Sequence, residues 1–83
     1  MNEADIRTIA LSTLKSIAPE VDADELRGDR SLRSQVDLDS MDWLNFLLGL
    51  HKKLKVDIPE ADYARLITLD DVVTYLQKKL GTA

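Results

Sequence analysis

The sequence predicts an all-α protein: a four-helix bundle with three long helices, one short helix and a long loop between the first and second helices. Three segments repeat apolar residues at intervals of three and four, which is the period of an α-helix. Only three Gly and two Pro occur among the 83 residues, which is few for a turn-rich β-sandwich. At this length, residues 1–83 are expected to form a single domain.

The first helix is predicted over residues 2–17, with Asn2 as its N-cap and two acidic residues just after it, where the helix dipole favours them. Its apolar stripe comprises Ile6, Ile9, Ala10, Leu14 and Ile17. Pro19 ends this helix. Residues 18–39 lack a sustained period and predict a loop. Its scattered apolar residues indicate that it is held against the core: Val21, Leu26, Leu32, Val36 and Leu38.

The second helix is predicted over residues 40–54, with Asp39 or Ser40 as its cap. One side of this helix carries Trp43, Phe46, Leu47, Leu50 and Leu54, and an adjoining strip carries Met41, Leu44 and Leu48. The apolar arc spans about 220°, well beyond the ~100° that burying one face requires. Either the helix is central and packs on several neighbours, or one strip is core and the other is an exposed docking surface.

Two more helices complete the bundle. A short helix over residues 60–66 follows Pro59, a residue favoured at a helix start. The last helix is predicted over residues 68–80, where Thr68 and Asp71 match a capping box in its Asp form. Its buried stripe comprises Val72, Val73, Leu76 and Leu80.

The composition excludes several classes of function. With no Cys and one His, the chain has no disulfide framework, no thiolate nucleophile, no Cys-based metal site and no His-rich one. Fifteen acidic residues against eleven basic ones argue against nucleic-acid binding. No apolar run approaches the ~20 residues of a membrane span, and no signal core follows the N-terminus. We therefore expect a cytoplasmic protein without membrane insertion, and a binding or carrier role before catalysis.

Residues 37–42 read Asp-Leu-Asp-Ser-Met-Asp, where the long loop ends and the most apolar helix begins. Here the sequence resembles the acyl carrier protein family, whose signature Asp-Ser-Leu opens the second helix. Asp39, Ser40 and Met41 match it with Met in place of Leu. The resemblance runs over nearly the whole chain: Leu32, residues 56–59, and Thr68 with Leu69 fit further family positions.

The resemblance implies that Ser40 bears a 4′-phosphopantetheine arm from coenzyme A, attached by a separate phosphopantetheinyl transferase. The arm would hold acyl groups as thioesters for acyl-loading and acyl-transferring enzymes of fatty-acid, lipid or secondary-metabolite synthesis. The chain would then be a non-enzyme and a monomer, with no metal of its own. The implied recognition residues are Asp39, Met41, Leu44 and Leu48, with Asp42 as a secondary contact. A phosphodiester on Ser40 would lie at a helix N-terminus, which favours negative charge.

Two alternatives remain open. The chain could be an aminoacyl or peptidyl carrier, or a small helical interaction module in which Ser40 is only a helix cap. Ser40 is not a plausible nucleophile, because a nucleophile needs a base within hydrogen-bond reach. The only His, His51, lies eleven residues along the same helix, which is about 16 Å away at 1.5 Å per residue.

A calcium site is disfavoured. Asp22, Asp24 and Gly28 resemble the start of an EF-hand loop, but Leu26 stands where a ligand is required and the Gly is one place late. If the calcium loop is counted from Asp37 instead, the residue at the turn is not Gly and the residue at the last ligand position is not acidic.

Three departures from the family pattern carry expectations. Asp37 stands where many members have Gly, so the approach to Ser40 should be stiffer and more acidic. The partner-facing positions include Asn45, His51 and Lys52, where the family is usually rich in Glu. This predicts weaker docking to the usual partners and a dedicated pathway, unless the change is drift on a solvated face. Trp43 predicts a smaller or reshaped acyl pocket, unless it is a core residue with no role in cargo.

Overall fold

A computed structural model describes residues 2–81, in which the chain is helical. Its elements are α1 (Glu3–Ile17), α2 (Leu32–Val36), α3 (Ser40–Leu54), a 3₁₀ helix (Glu60–Arg65) and α4 (Leu69–Leu80). Within these residues the extended pairing is one isolated antiparallel bridge between Ser31 and Thr68. The predicted all-α bundle with three long helices is confirmed.

The ends of the long helices are set by local hydrogen bonds. Asn2 Oδ1 accepts a hydrogen bond from the Asp5 amide at 2.9 Å and begins α1. Thr68 Oγ1 accepts from the Asp71 amide at 2.9 Å, and Asp71 Oδ2 accepts from the Thr68 amide at 3.1 Å. This reciprocal pair is the predicted capping box. Such caps satisfy amides that a helix start leaves unpaired.

The core lies where α1 packs against both α3 and α4. Residues of all three helices are fully buried there: Ile6, Leu14, Phe46, Leu47, Leu50, Val72, Val73 and Leu76. The long loop is held against this core as predicted, because Leu32 and Leu38 are buried. No helix within residues 2–81 is long and apolar enough to cross a membrane.

The loop contains a helix that the sequence did not predict. The five-residue α2 has no side-chain cap at Ser31, so long-range contacts hold it in place. The Leu32 amide donates to Ile67 O at 2.8 Å. The Gln35 side chain accepts from the Arg27 amide at 2.7 Å and donates to Arg27 O at 2.8 Å. A helix this short is not stable from its own sequence, and these contacts join it to the preceding loop and to the segment just before α4.

Candidate functional site

Asp39 is the residue that caps α3. Its Oδ1 accepts a hydrogen bond from the Asp42 amide at 2.8 Å, and its backbone is extended. Ser40 is the first residue inside the helix. The alternative in which Ser40 serves as the cap is therefore wrong, since the side chain of the preceding residue makes that bond.

The Ser40 hydroxyl is free for chemistry. Ser40 is exposed, and within residues 2–81 its hydroxyl makes no hydrogen bond. The first backbone bond of α3 runs from the Trp43 amide to Asp39 O at 3.0 Å. The amides of Ser40 and Met41 precede that bond and have no partner inside the helix. An anionic group on Ser40 would meet these amides and the positive end of the helix dipole.

An open cleft of about 370 Å³ begins at Ser40 and separates α3 from the 3₁₀ helix. Its lining comprises Arg33, Ser40, Trp43, Leu44, Glu60, Tyr63 and Ala64. Arg33 Nε lies 3.4 Å from Leu38 O, so α2 holds this guanidinium beside the approach to α3. Sequence reasoning missed Arg33 and Tyr63. No local signal marks either, because both reach the cleft through the packing of short helices.

The wall of the cleft that carries Tyr63 is tied to α4. The Tyr75 hydroxyl donates a hydrogen bond to Asp62 Oδ2 at 2.5 Å, and Arg65 pairs with Asp62 Oδ1 at 3.2 Å. The Tyr75 hydrogen bond, aided by the positive charge of Arg65, holds the pKa of Asp62 below its usual value. Burial and the bond to Asp62 raise the pKa of Tyr75 to about 12. The 3₁₀ helix is thus fixed by a charge-assisted bond across the bundle.

Trp43 belongs both to the core and to the cleft. The indole is buried, and its ring centroid lies 5.3 Å from that of Phe46 with the planes tilted by 32°. The same side chain lines the cleft beside Ser40. The predicted burial on the core side of the helix is confirmed, whereas the effect on cargo stays a prediction.

The two apolar faces of α3 are distinct, as the second interpretation of the sequence required. Trp43, Phe46, Leu47, Leu50 and Leu54 are buried. Met41, Leu44 and Leu48, named here the α3 strip, are 66%, 39% and 47% exposed. The alternative in which α3 is a central helix with both apolar strips packed on its neighbours is therefore wrong. Of the predicted recognition residues, Asp39 is also exposed and Asp42 is half-buried.

Asp37 ends α2 in the left-handed conformation, with φ 55° and ψ 49°. A side chain with a β carbon is strained there, and Gly is the residue most often found. The position therefore favours Gly for backbone reasons. In this chain it places a further carboxylate three residues before Ser40.

The histidine of α3 makes a hydrogen bond at the C-terminal end of the helix. The His51 Nδ1 donates to Val56 O at 2.7 Å. The ring therefore supports the backbone that follows the helix. Because His51 lies at the opposite end of α3 from Ser40, its ring has no part in activating the Ser40 hydroxyl.

No group of three or more His, Asp or Glu residues within residues 2–81 could hold a metal ion. The first acids of the disfavoured calcium motif instead form a local turn, in which Asp22 Oδ1 accepts from the Asp24 amide at 3.0 Å. The site is accordingly built from a hydroxyl, a helix N-terminus and an adjacent cleft.

Comparisons with known proteins show the family to which the chain is similar. The sequence model of the family described as phosphopantetheine attachment site matches residues 5–76. Acyl carrier proteins from Thermotoga maritima and Chlamydia caviae are each 30% identical to the chain, over 73 and 79 residues. These matches cover 84% and 95% of this chain, and 90% and 96% of the two relatives.

A solved structure has the same fold. The solution structure of a protein assigned as an acyl carrier protein in Anaplasma phagocytophilum superposes with a TM-score of 0.81. The match covers all of this chain and 94% of that one, at 20% sequence identity.

The chain belongs to the phosphopantetheine-binding acyl carrier protein family. Its function is that of a carrier, and the prosthetic group of the family is covalently attached 4′-phosphopantetheine. The residues at the start of α3 fit such a group: an exposed hydroxyl, two free amides and an apolar cleft alongside.

Proposed function

We propose that Ser40 is the attachment site and that the chain carries acyl groups as thioesters on the arm. The observation that supports this most strongly is the position of Ser40. It is the first residue of α3, it is exposed, and Asp39 makes the capping bond in its place. When bound, the arm supplies the reactive thiol that a chain without Cys lacks.

The surroundings of Ser40 suit a phosphodiester. The free amides at the start of α3 attract negative charge, and the positively charged residue Arg33 lines the same cleft. These groups oppose the repulsion expected from Asp37 and Asp39, which precede Ser40 in the chain, and from Glu60, which lines the same cleft. Trp43 and Leu44 give the cleft an apolar side that an acyl chain can contact.

We further propose that the chain is not itself a catalyst. Within residues 2–81 the Ser40 hydroxyl has no hydrogen bond to a base, and the one histidine, His51, is bonded to Val56 at the far end of α3. Attachment and transfer then belong to other proteins, a phosphopantetheinyl transferase and acyl-handling enzymes, which the family implies. All the relatives compared above are acyl carriers, which favours acyl cargo over aminoacyl cargo.

The α3 strip is the proposed contact for these enzymes, with Asp39 and Asp42 at its Ser40 end. Because the rest of α3 is neutral or basic, a dedicated pathway fits better than general fatty-acid synthesis. An equal turnover by a general fatty-acid ketosynthase, compared with the housekeeping carrier of the same cell, would contradict the dedicated pathway. The monomeric state and the cytoplasmic location stay predictions from the sequence.

The proposal is tested by intact mass after incubation with coenzyme A, Mg²⁺ and a phosphopantetheinyl transferase. We expect the wild-type chain to gain the mass of one phosphopantetheine and Ser40→Ala to gain none. Ser34→Ala is the matched control, because Ser34 is an exposed serine in the neighbouring helix, and it should load like wild type. No mass gain in the wild type, or loading of Ser40→Ala, would overturn the proposal.

A further inference from the structure

The C-terminal half of α3 carries positive charge without negative charge. Residues 43–56 contain no Asp or Glu, whereas Lys52, Lys53 and Lys55 stand in the last turn and just after it. All three lysines are exposed, and none pairs with a carboxylate within residues 2–81. The acids of this helix are confined to its cap and first turn. The positive charge is therefore available to another molecule.

Lys52 continues the α3 strip. It follows Leu48 by four residues and Leu44 by eight, so the three side chains lie within about 80° of arc. Lys53 lies about 100° further round the helix. Three of the four large exposed apolar side chains within residues 2–81 belong to the strip. One face of α3 thus runs from Ser40 through an apolar patch to an unpaired ammonium group.

We infer that this face binds a partner protein whose docking surface joins an apolar patch to carboxylates that meet Lys52. The inference rests on the proposed function, because it concerns the enzymes that reach Ser40. The apolar strip supplies contact area without a preference for either sign of charge. The ammonium group supplies that preference, since opposite charges speed association and like charges suppress it.

A lipid surface fits this face less well. The apolar strip is only three residues long, and the carboxylates of Asp39 and Asp42 stand at its other end. The whole chain has a net charge of −4. Anionic headgroups attract basic segments, but the two carboxylates and the negative net charge of this chain repel such headgroups. A protein surface that carries opposite charges at its two ends can match both ends of the helix.

A charge exchange tests the inference. The probe is a ketosynthase whose carrier-docking face is basic, used unchanged and with two of those basic residues replaced by Glu. Wild type, Lys52→Glu and the matched control Lys53→Glu are each loaded with arm and acyl group, and loading is verified by mass. Lys53 is the control because it lies in the same turn and is also exposed, but stands away from the strip.

With the basic enzyme, Lys52→Glu should raise kcat/KM by about ten-fold at low salt, through KM, while Lys53→Glu changes it by less than about two-fold. With the acidic enzyme the order should reverse, and wild type should be the better substrate. Equal effects of the two substitutions on both enzymes would overturn the inference. So would binding of the wild-type chain to phosphatidylserine vesicles that Lys52→Glu abolishes, because the occupant would then be a membrane.

These outcomes are separate from those of the carrier proposal. A chain that fails to gain the arm contradicts the function of Ser40, and with it the inference that depends on that function. A chain that loads normally but shows no charge exchange contradicts only the inference about Lys52.

Discussion

Asp39 has two roles that substitution can separate: it caps α3, and it presents a charge beside Ser40. Asp39→Ala removes the acceptor that lies 2.8 Å from the Asp42 amide. Loss of an N-cap costs about 1 kcal/mol, and loss of an acid at a helix N-terminus costs a further ~0.3–1 kcal/mol. The melting temperature should therefore fall by roughly 5–15 °C in a domain of this size. Asp39→Asn keeps the hydrogen-bond acceptor and loses only the interaction of the negative charge with the helix N-terminus.

The assay is urea and thermal unfolding followed by circular dichroism at pH 7, with the rate of pantetheinylation measured on the same samples. Asp39→Asn should retain most of the stability yet load more slowly, because the transferase is proposed to contact the carboxylate. Glu20→Ala is a control, since it removes an exposed acid with no capping role and should change stability by less than about 0.5 kcal/mol. An Asp39→Asn variant as unstable as Asp39→Ala would refute the assignment of the cap.

Other substitutions test the neighbouring features. Asp37→Ala should be about 1 kcal/mol less stable in urea than Asp37→Gly, because the left-handed backbone strains a β carbon, and the reverse order would contradict that reading of the turn. Tyr75→Phe should raise the pKa of Asp62, followed by NMR titration of its carboxyl, and should lower stability at pH 7. Because the pKa of Asp62 is lowered in the folded state, the difference in stability between wild type and Tyr75→Phe is present above pH 3.8, the pKa of Asp62 in the unfolded chain. The difference should shrink as the pH falls below that value. A difference that does not depend on pH would argue against the hydrogen bond from Tyr75 to the ionised carboxylate. Trp43→Leu should increase the gain in melting temperature that a long acyl chain confers on loading, whereas an equal gain in wild type would indicate that Trp43 does not limit the space for cargo.

The long helices could be predicted because their information is local. The cap at Asn2, the capping box at Thr68 and the spacing of apolar residues all lie within the segments that they define. The two apolar strips of α3 also followed from the helical period, but only the structure shows that the strip of Met41, Leu44 and Leu48 is exposed. The prediction that Ser40 opens a helix needed only its neighbours in sequence.

The rest depended on distant contacts. The helix α2 exists because Leu32 is bonded to Ile67 and because Gln35 binds Arg27, and neither pairing has a sequence signature. The cleft beside Ser40 depends on where α2 and the 3₁₀ helix pack against α3. The position of Arg33 in that cleft could therefore not be predicted from the sequence. The left-handed backbone at Asp37 likewise appears only once α2 is known to end there.

The most direct test of the account locates the prosthetic group on the loaded chain. Trypsin cleavage after Arg33 and Lys52 releases a peptide of residues 34–52, which contains both Ser34 and Ser40. Fragmentation of that peptide by mass spectrometry distinguishes the two hydroxyls. We expect all of the phosphopantetheine to be on Ser40. Its attachment to Ser34, or to any serine outside this peptide, would contradict the assignment of Ser40 as the attachment site.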